Sequence, residues 1–560
     1  MSEVVTKIND NSYVLPVIQR RLVWEEEKME LLFDTLMKGN SFGGIMAIEE
    51  EEGNKPLFAY RHFTKNGENL SSIYDSTNHK DHLFIIDGQQ RLQSFYIGLM
   101  GSINGKILYF DLFSDYKNLE YGFKFEKDST KLPEKATERE SEDLLTHKWY
   151  PVNKLFKSLK ETNDEDQIAD EIIASTGVVS DIEKDHIRKN TNRFYRSVFN
   201  LDSIGISKVR INRQLNENSN RQRIVELFRR LNDGGTKLSA FDLVASILKG
   251  FDWKMEGFLD SVLRDHKDIG VTQEILIKLI FILKDIHNKE MTELEEQHAS
   301  FAIDNQQRIT KTLEAMKRFL KVAKLLEYYK DGNRSFIPLY FVAYYIFHKN
   351  DIETENLEYM FDTYDTTNKT FQKIYNWIYW SLLNGVFSRG SGWIPYKTGI
   401  RKILDVMKTH KNKEFPLQQL FSIYFNHPVN FYTALDSYKL SQLDSNFLYY
   451  ILYNRESTTR KQDIDHIHAE SILLGMGIAS YKIHTIINYQ LLDYGTNRGL
   501  KNAKPLNEWI NNYVENKQLY LKEHLIPLDD TLWDPINYDQ FYEERAKLLI
   551  DKIVSTIGIV

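Results

Sequence analysis

The chain of 560 residues contains no cysteine. That absence excludes disulfides, thiol nucleophiles, iron–sulfur clusters and every thiolate-bound zinc, so any metal must be held by Asp, Glu, Asn or His. Proline is scarce, 11 in all, and no Pro-, Gly- or Ser-rich linker interrupts the text, which predicts domains packed directly on one another with soft boundaries. Long apolar runs are missing: the most apolar stretch, Ile275 to Leu283, is broken by Lys278 and falls well short of the roughly 20 residues needed to cross a bilayer. MSEVVTKINDNSYVLP at the start has neither a basic n-region before an apolar run nor an Arg-rich amphipathic pattern, so the expectation is a cytoplasmic protein without a membrane span. An excess of positive charge is lacking too. Lys plus Arg count 72 against 79 for Asp plus Glu, a net of −7, which argues against a surface coated for indiscriminate DNA binding and confines any nucleic-acid site to a local patch.

Apolar and aromatic residues are plentiful. With 42% hydrophobic residues, 32 Tyr, 32 Phe and 8 Trp, the chain has more buriable surface than a disordered protein carries, and its length calls for several cores. Residues Leu83 to Met100, LFIIDGQQRLQSFYIGLM, predict a buried strand, a tight turn at Gly88 and a helix with apolar positions three and four apart, an α/β signature. Lys117 to Glu142 is polar and charge-dense and is expected to be a poorly ordered surface excursion. Ser207 to Asn212 predicts a short strand, and Arg221 to Leu231 a helix ending in the turn NDGGT. From about 250 to 440 the pattern is helical; Ile309, Leu313, Met316, Leu320, Ala323 and Leu326 keep to one helix face. No fixed repeat period favours a solenoid. Strand-like runs return from about Leu440, followed by helical text around Leu506 to Tyr520 and Phe541 to Ile557. The expected division is 1–250, a helical connecting region 251–440, and 441–560.

Two constellations carry chemistry. Near the carboxy terminus, KQDIDHIHAES (Lys461 to Ser471) alternates as a strand entering a turn, Asn488 to Leu492 suits a second strand, and Asn497 falls where a helix can start. A strand–strand–helix unit of this kind can hold one divalent ion between a strand carboxylate and a helix-borne amide, leaving positions open for a phosphate. His466 has the titration range of a base for water, Asp465 and Asn497 are the candidate ligands, Asn488 can fix the imidazole or the loop, and Arg498 and Lys501 can hold flanking phosphates. His468 and His484 are open alternatives for part of this set, with packing or surface roles the plainer use.

Near the amino terminus, FIIDGQQRL (Phe84 to Leu92) places Asp87, Gly88, Gln89, Gln90 and Arg91 at a strand-to-helix join, where unpaired N–H groups, a glycine that admits a close ligand and a guanidinium make a phosphate cradle. A capping Asp in a plain turn is the bland alternative. Lys208 to Arg230 adds seven basic residues (Lys208, Arg210, Arg213, Arg221, Arg223, Arg229, Arg230) against Glu217 and Glu226, a local +5 that suits either nucleic-acid phosphates or a solvated helix face. Tyr13 and Trp24 are expected to serve core packing before base stacking.

The carboxy-terminal residues resemble the Asp-His…Asn…Asn-Arg-Gly form of the HNH, or His-Me finger, nuclease family, also seen in the HNH domain of the RNA-guided CRISPR nuclease. The resemblance implies His466 as general base, Asp465 and Asn497 as metal ligands and Asn488 as the middle Asn; it departs where relatives often have Pro and this chain has Ala469. YVLPVIQRRLVW (Tyr13 to Trp24), IIDGQQRL and LFRRLNDGGTKLSAFDLVASIL (Leu227 to Leu248) together resemble the amino-terminal domain of the GmrSD family of modification-dependent restriction enzymes, a ParB/sulfiredoxin-like nucleotide-handling fold followed in that family by an HNH-like domain. By that resemblance Asp87, Gly88, Gln89, Gln90 and Arg91 belong to an NTP-binding and hydrolysing site, with Gln19 and Arg20 of a PxxQR motif near it and Asn232, Gly234 and Gly235 in an Asn-x-Gly-Gly turn. Gly234 and Gly235 also read simply as a helix end.

The expected fold is therefore a helix-rich multidomain α+β chain: a ParB/sulfiredoxin-like α/β domain, a helical middle and an HNH (ββα-metal) domain. The expected activity is modification-dependent DNA cleavage with Mg2+ or Mn2+, regulated by a nucleoside triphosphate, on DNA that carries a modification; a homo-oligomer is left open. The alternatives are a nucleotide-dependent DNA-binding regulator with an inactive HNH-like domain, and a nuclease directed to RNA.

Overall fold

The computed structural model describes residues 1–560 apart from 20–21, 23, 41–42, 50–55, 68–70, 76–81, 135–145, 213, 234–239, 287–294, 331–333, 363–368, 389–395, 454–461, 494–495 and 558–560. The protein is a helix-rich α+β chain that packs as two units, one of Met1–Gly257 with Met291–Ser300, the other of Phe258–Glu290 with Phe301–Val560. No helix among the described residues is long and apolar enough to cross a membrane.

The amino-terminal unit begins with α1 (Ser2–Asn9), β1 (Tyr13–Pro16), α2 (Glu26–Lys38), β2 (Ile45–Glu49), β3 (Tyr60–His62), β4 (Leu83–Asp87) and α3 (Gln89–Met100). A mixed sheet in the order β3-β1-β4-β2-β8, with β8 at Ile206–Arg210, places β4 at its centre; β4 runs parallel to β1 and antiparallel to β2. Central position explains the near-continuous apolar text of LFIID, since Phe84, Ile85 and Ile86 are all buried. The expected strand, turn and helix over 83–100 are present, and α3 packs Leu92, Phe95 and Leu99 into the same core as Phe33 and Leu36 of α2. Tyr13 is buried and Trp24 lies against this core, as packing residues. Charges that complement the helix dipole set the ends of α2: Glu26 and Glu27 sit in its first turn, Lys38 in its last, and Gly39 closes it in the left-handed region.

A second, antiparallel sheet, β6-β5-β7, is built from β5 (Ile107–Asp111), β6 (Phe123–Glu126) and β7 (Trp149–Pro151). Here the expectation for the charge-dense run is corrected over 117–134, because β6 lies inside it. Tyr121, Phe123 and Phe125 alternate inward and are buried, while Lys124 turns out to pair with Glu30 at 2.7 Å and the same carboxylate accepts the Phe125 N–H at 2.8 Å. Burying three aromatic rings, at about 1.5–3 kcal/mol each, outweighs a high local charge whose surface pairs contribute little. The remainder of that run, 135–142, lies outside the described residues. Three helices, α4 (Val152–Thr162), α5 (Glu165–Thr176, capped by Asp164) and α6 (Asp181–Tyr195), close the core; α7 (Glu217–Asp233) and α8 (Ala240–Phe251) follow β8.

The other unit is helical through most of its length. Its helix Gln306–Val322 buries Ile309, Leu313, Met316 and Leu320 as their spacing predicts, but the helix stops at Val322 and Lys324 takes a positive φ of 55°, so Leu325 rather than Leu326 enters the core. Past it, β9 (Gln462–His466) pairs antiparallel with β10 (Tyr489–Asp493), in the register Tyr489↔His466 and Gln490↔Asp465. A π-helical turn, Thr496–Lys501, follows β10 and is capped by the Asp493 carboxylate, which accepts from the Thr496 N–H at 3.0 Å and from its hydroxyl. The last helix, Tyr538–Ile557, supports the segment leading into β10. Its Arg545 is fully buried and donates to the carbonyls of Ile486, Ile487, Tyr489 and His524.

Candidate functional site

At the β4–α3 join, Gly88 takes φ 85° as the residue before the helix, a conformation costly for any residue with a Cβ. A Cβ there would also meet Ile45 Cγ1 at 2.9 Å. Arg91, one turn into α3, folds back across this join: its guanidinium donates to the Gly44 carbonyl at 2.8 Å and lies 3.5 Å from Asp87, and it approaches Gly43 so closely that a Cβ on that residue would stand 2.5 Å from Arg91 Nη1. Gln19 reaches the same strand end and donates to the carbonyls of Ile85 and Ile86 at 3.2 and 2.7 Å. Gln89 is buried and Gln90 half-buried. The structure therefore gathers Gln19, Asp87, Gly88, Gln89, Gln90 and Arg91 around one turn, with Asp87 the more exposed member of its ion pair. Arg20, Gly234 and Gly235, and the side chain of Asn232, lie outside the described residues. A cleft of about 640 Å³ in this unit lies elsewhere, lined by residues such as Asp75, Arg221, Asp252 and Trp253.

The basic stretch Lys208–Arg230 is largely matched by local acids. Lys208 and Arg210 both pair with Glu49, Arg221 with Glu217 and Arg230 with Glu226. Four of its seven cations thus have carboxylate partners within the fold, which favours the solvated-face reading; Arg213 and the Arg229 side chain lie outside the described residues.

In the carboxy-terminal unit, β9 presents Asp465 and His466, and the turn after β10 presents Asn497, to one open cleft of about 500 Å³ that is also lined by Glu470 and Asn502. The three residues expected to share a site are thereby brought to one space, with Asn497 coming from 31 residues beyond His466 (497 − 466 = 31). Asp465 is held from behind. Its Oδ2 accepts from Gln490 Nε2 at 2.8 Å, Gln490 Oε1 accepts from the Tyr520 hydroxyl at 2.7 Å, and that hydroxyl accepts from the Trp509 indole at 3.1 Å, a buried series that fixes the carboxylate's orientation. Asn488 is fully buried and serves the loop: its Oδ1 accepts from the His468 N–H at 3.0 Å and its amide donates to the His468 and Ile483 carbonyls. This ties the turn after β9 to the segment before β10, and the imidazole of His466 is not its partner.

Lys501 departs from the expectation of a phosphate contact. Its side chain has no exposure, sits 2.7 Å from Asp465 Oδ2 and donates to the His466 carbonyl, so it is a buried counter-ion and cannot reach solvent-side DNA. Burial draws its ammonium below the ordinary lysine range, while Asp465 opposes that shift. The Arg498 side chain lies outside the described residues.

His466 is half-buried; burial lowers its pKa from the ordinary value, Glu470 opposes this and His484 adds to it. Its ring stands edge-on to Tyr489, and its Nε2 lies 3.3 Å from His484 Nδ1. His468, the other open alternative, is a packing residue: its ring is fully buried edge-on to Phe541 and Tyr538, and burial holds its pKa at about 3. Sequence reasoning missed Gln490, Glu470 and Arg545. Glu470 had a signal in its spacing, four residues after His466, and Gln490 stands directly across from Asp465 once the strand register is known.

Chemically, the cleft offers an acceptor imidazole, an oriented carboxylate and an amide on an open surface. Oxygen donors from Asp465 and Asn497 suit a hard divalent cation, which keeps most of its remaining positions for water and phosphate. Lys501 neutralises part of the Asp465 charge, so these residues fit such an ion as a weak site.

Comparison with known proteins bears on the amino-terminal region. Residues 1–249 match the family model described as GmrSD restriction endonuclease, N-terminal domain. An uncharacterized protein of Methanocaldococcus jannaschii is 23% identical over 615 aligned positions, covering 99% of this chain and 98% of that protein.

Proposed function

From the premise that residues 1–249 belong to the GmrSD restriction endonuclease N-terminal domain family, we propose that the chain is a restriction endonuclease in which the carboxy-terminal cleft hydrolyses DNA phosphodiesters and the β4–α3 turn handles a regulatory nucleoside triphosphate. The observation that carries the cleavage half is the convergence of Asp465, His466 and Asn497 on one open cleft, in strand–strand–helical-turn order, as an HNH-type site requires. Bound between Asp465 and Asn497, Mg2+ or Mn2+ would supply Lewis-acid stabilisation of the charge on the leaving oxygen. His466, kept neutral at neutral pH by its lowered pKa, accepts the proton of the attacking water. Gln490 holds the Asp465 carboxylate, and Asn488 holds the loop that carries His466 in place.

The nucleotide half rests on the turn around Gly88, where helix N–H groups and Arg91 stand beside Asp87. A nuclease that must spare host DNA gains specificity when cleavage waits on a conformational step, and nucleotide binding supplies such a step. Plasmid cleavage by the purified chain tests this, with each NTP and without, against cytosine-modified, phosphorothioate and plain DNA and a matched RNA. The expected result is Mg2+- or Mn2+-dependent cutting of DNA that depends on nucleotide and on modification; equal cutting of every substrate with and without nucleotide sinks the regulatory half, and preference for RNA redirects the substrate.

One observation favours a second reading, a nucleotide-dependent DNA-binding regulator. The buried Lys501 ammonium already occupies the carboxylate that a catalytic cation would use. DNA binding and NTP turnover with no metal-dependent cutting would select it.

A further inference from the structure

At the cleft, three side chains that the cleavage chemistry does not all require come together. His466 Nε2 and His484 Nδ1 are 3.3 Å apart, Glu470 Oε1 is 3.7 Å from His484 Nε2, and one donor atom from each of the three lies within 4.8 Å of the others. Two nitrogens bound at about 2.0–2.1 Å to a tetrahedral ion stand roughly 3.3–3.4 Å from each other, so the imidazole pair already has the spacing that such an ion imposes. Glu470 and His484 are both exposed, and Glu470, which now faces the other nitrogen of the His484 ring, has the rotamer freedom to swing towards Nδ1. Their origin is three separate pieces of chain: His466 ends β9, Glu470 opens the short helix after it, and His484 follows the helix Ser480–Ile483. Asn488 joins these pieces by bonding to the backbone of both His468 and Ile483, which fixes the two rings against each other.

We propose that His466, His484 and Glu470 form a site for a zinc-class transition-metal ion, separate from the oxygen-donor pair Asp465 and Asn497. Two imidazoles and one carboxylate favour a borderline ion such as Zn2+ over Mg2+, which prefers oxygen and water. Three protein ligands leave the fourth position open to water. The local charge fits as well: Asp465 and Lys501 offset each other, and Glu470 brings a carboxylate beside the two rings. A regulatory consequence rests on the nuclease reading above. An ion held here takes a ring nitrogen of His466 and pins the ring, so zinc-class ions inhibit cleavage that Mg2+ or Mn2+ supports.

Calorimetric titration of the chelator-stripped full chain with ZnCl2, paired with visible absorption on adding CoCl2, tests the site without recourse to cleavage. The expected result is one equivalent bound with tetrahedral cobalt bands, weakened about 100-fold or more in His484→Ala and about tenfold in Glu470→Gln, and unchanged in Asn497→Ala. Absence of saturable binding by the wild-type chain, or binding that His484→Ala leaves intact, overturns it and leaves a His466–His484 hydrogen bond only. In the second arm, Zn2+ added to a Mg2+-supported plasmid digest is expected to stop the wild-type chain, while the cleavage remaining in His484→Ala resists it; inhibition equal in both chains removes the regulatory consequence. A wild-type chain that binds Zn2+ but cuts nothing under any condition counts against the nuclease reading alone.

Discussion

At the β4–α3 turn the polar side chains fold back onto the protein's own backbone, whereas in the carboxy-terminal cleft they are braced from behind and face open space. Arg91 spends its guanidinium on the Gly44 carbonyl and Asp87, and Gln19 spends its amide on two carbonyls of β4. Asp465 is instead fixed by Gln490 and Lys501 on its protein side while its residue still lines the cleft, and His466 lies beside it. The contrast teaches that the first region is shaped by backbone conformation and the second by buried supports. A ligand at the turn must compete with existing hydrogen bonds, which suits a step that is switched; a braced cleft suits chemistry that needs fixed geometry.

Removing a support should break the second region most severely. Arg545→Met leaves four carbonyl groups without their buried donor, and on the order of 3–5 kcal/mol of stability is expected to be lost from the carboxy-terminal unit. Denaturant unfolding followed by tryptophan fluorescence checks this; an unchanged midpoint would show that the last helix does not hold β10.

Acid should separate the regions next. Burial lowers the pKa of His348 and of His524, both in the carboxy-terminal unit, to about 4. The unfolded chain takes up those protons first, near the ordinary histidine value of about 6.5, so the stability these rings carry is full above that pH and declines as pH falls towards 4. The loss is on the order of 1–3 kcal/mol for each ring. Melting curves between pH 7 and about 4 are expected to show it, with His524→Gln flattening the dependence; a flat profile in the wild-type chain would contradict it.

The smallest effect is expected at the turn. Gly88→Ala places a Cβ at positive φ and 2.9 Å from Ile45, at a cost of about 1–2 kcal/mol, and is expected to impair NTP turnover more than folding. Turnover and nucleotide binding measured on the same preparation decide this, and normal turnover in the variant would remove the turn from the nucleotide site.

Legibility in the sequence followed the same division. Strand, turn and helix over 83–100 were readable because a central strand is continuously apolar and Gly88 marks the break. The β9–β10 pair was readable from alternation together with the spacing of Asp465, His466, Asn488 and Asn497. β6 was hidden because Lys124 and Glu126 alternate with Phe123 and Phe125, and the charge density of the run masked a period of two. Lys501 looked like a surface cation since its partner, Asp465, lies 36 residues earlier (501 − 465 = 36), and only the folded register brings them together. Arg545 gave no local sign at all, because its four acceptors are backbone carbonyls on other segments. Pairing of His484 with His466 likewise depends on the loop that Asn488 ties, which spacing alone does not specify.

Single-turnover cleavage of a plasmid by His466→Ala, with DNA binding measured in parallel, tests the cleft most directly. Loss of the base is expected to slow cutting by about 10²–10⁴-fold while DNA affinity and NTP turnover stay near the wild-type values. Cleavage at the wild-type rate by this variant would contradict the assignment of the carboxy-terminal cleft as the place where the phosphodiester bond is broken.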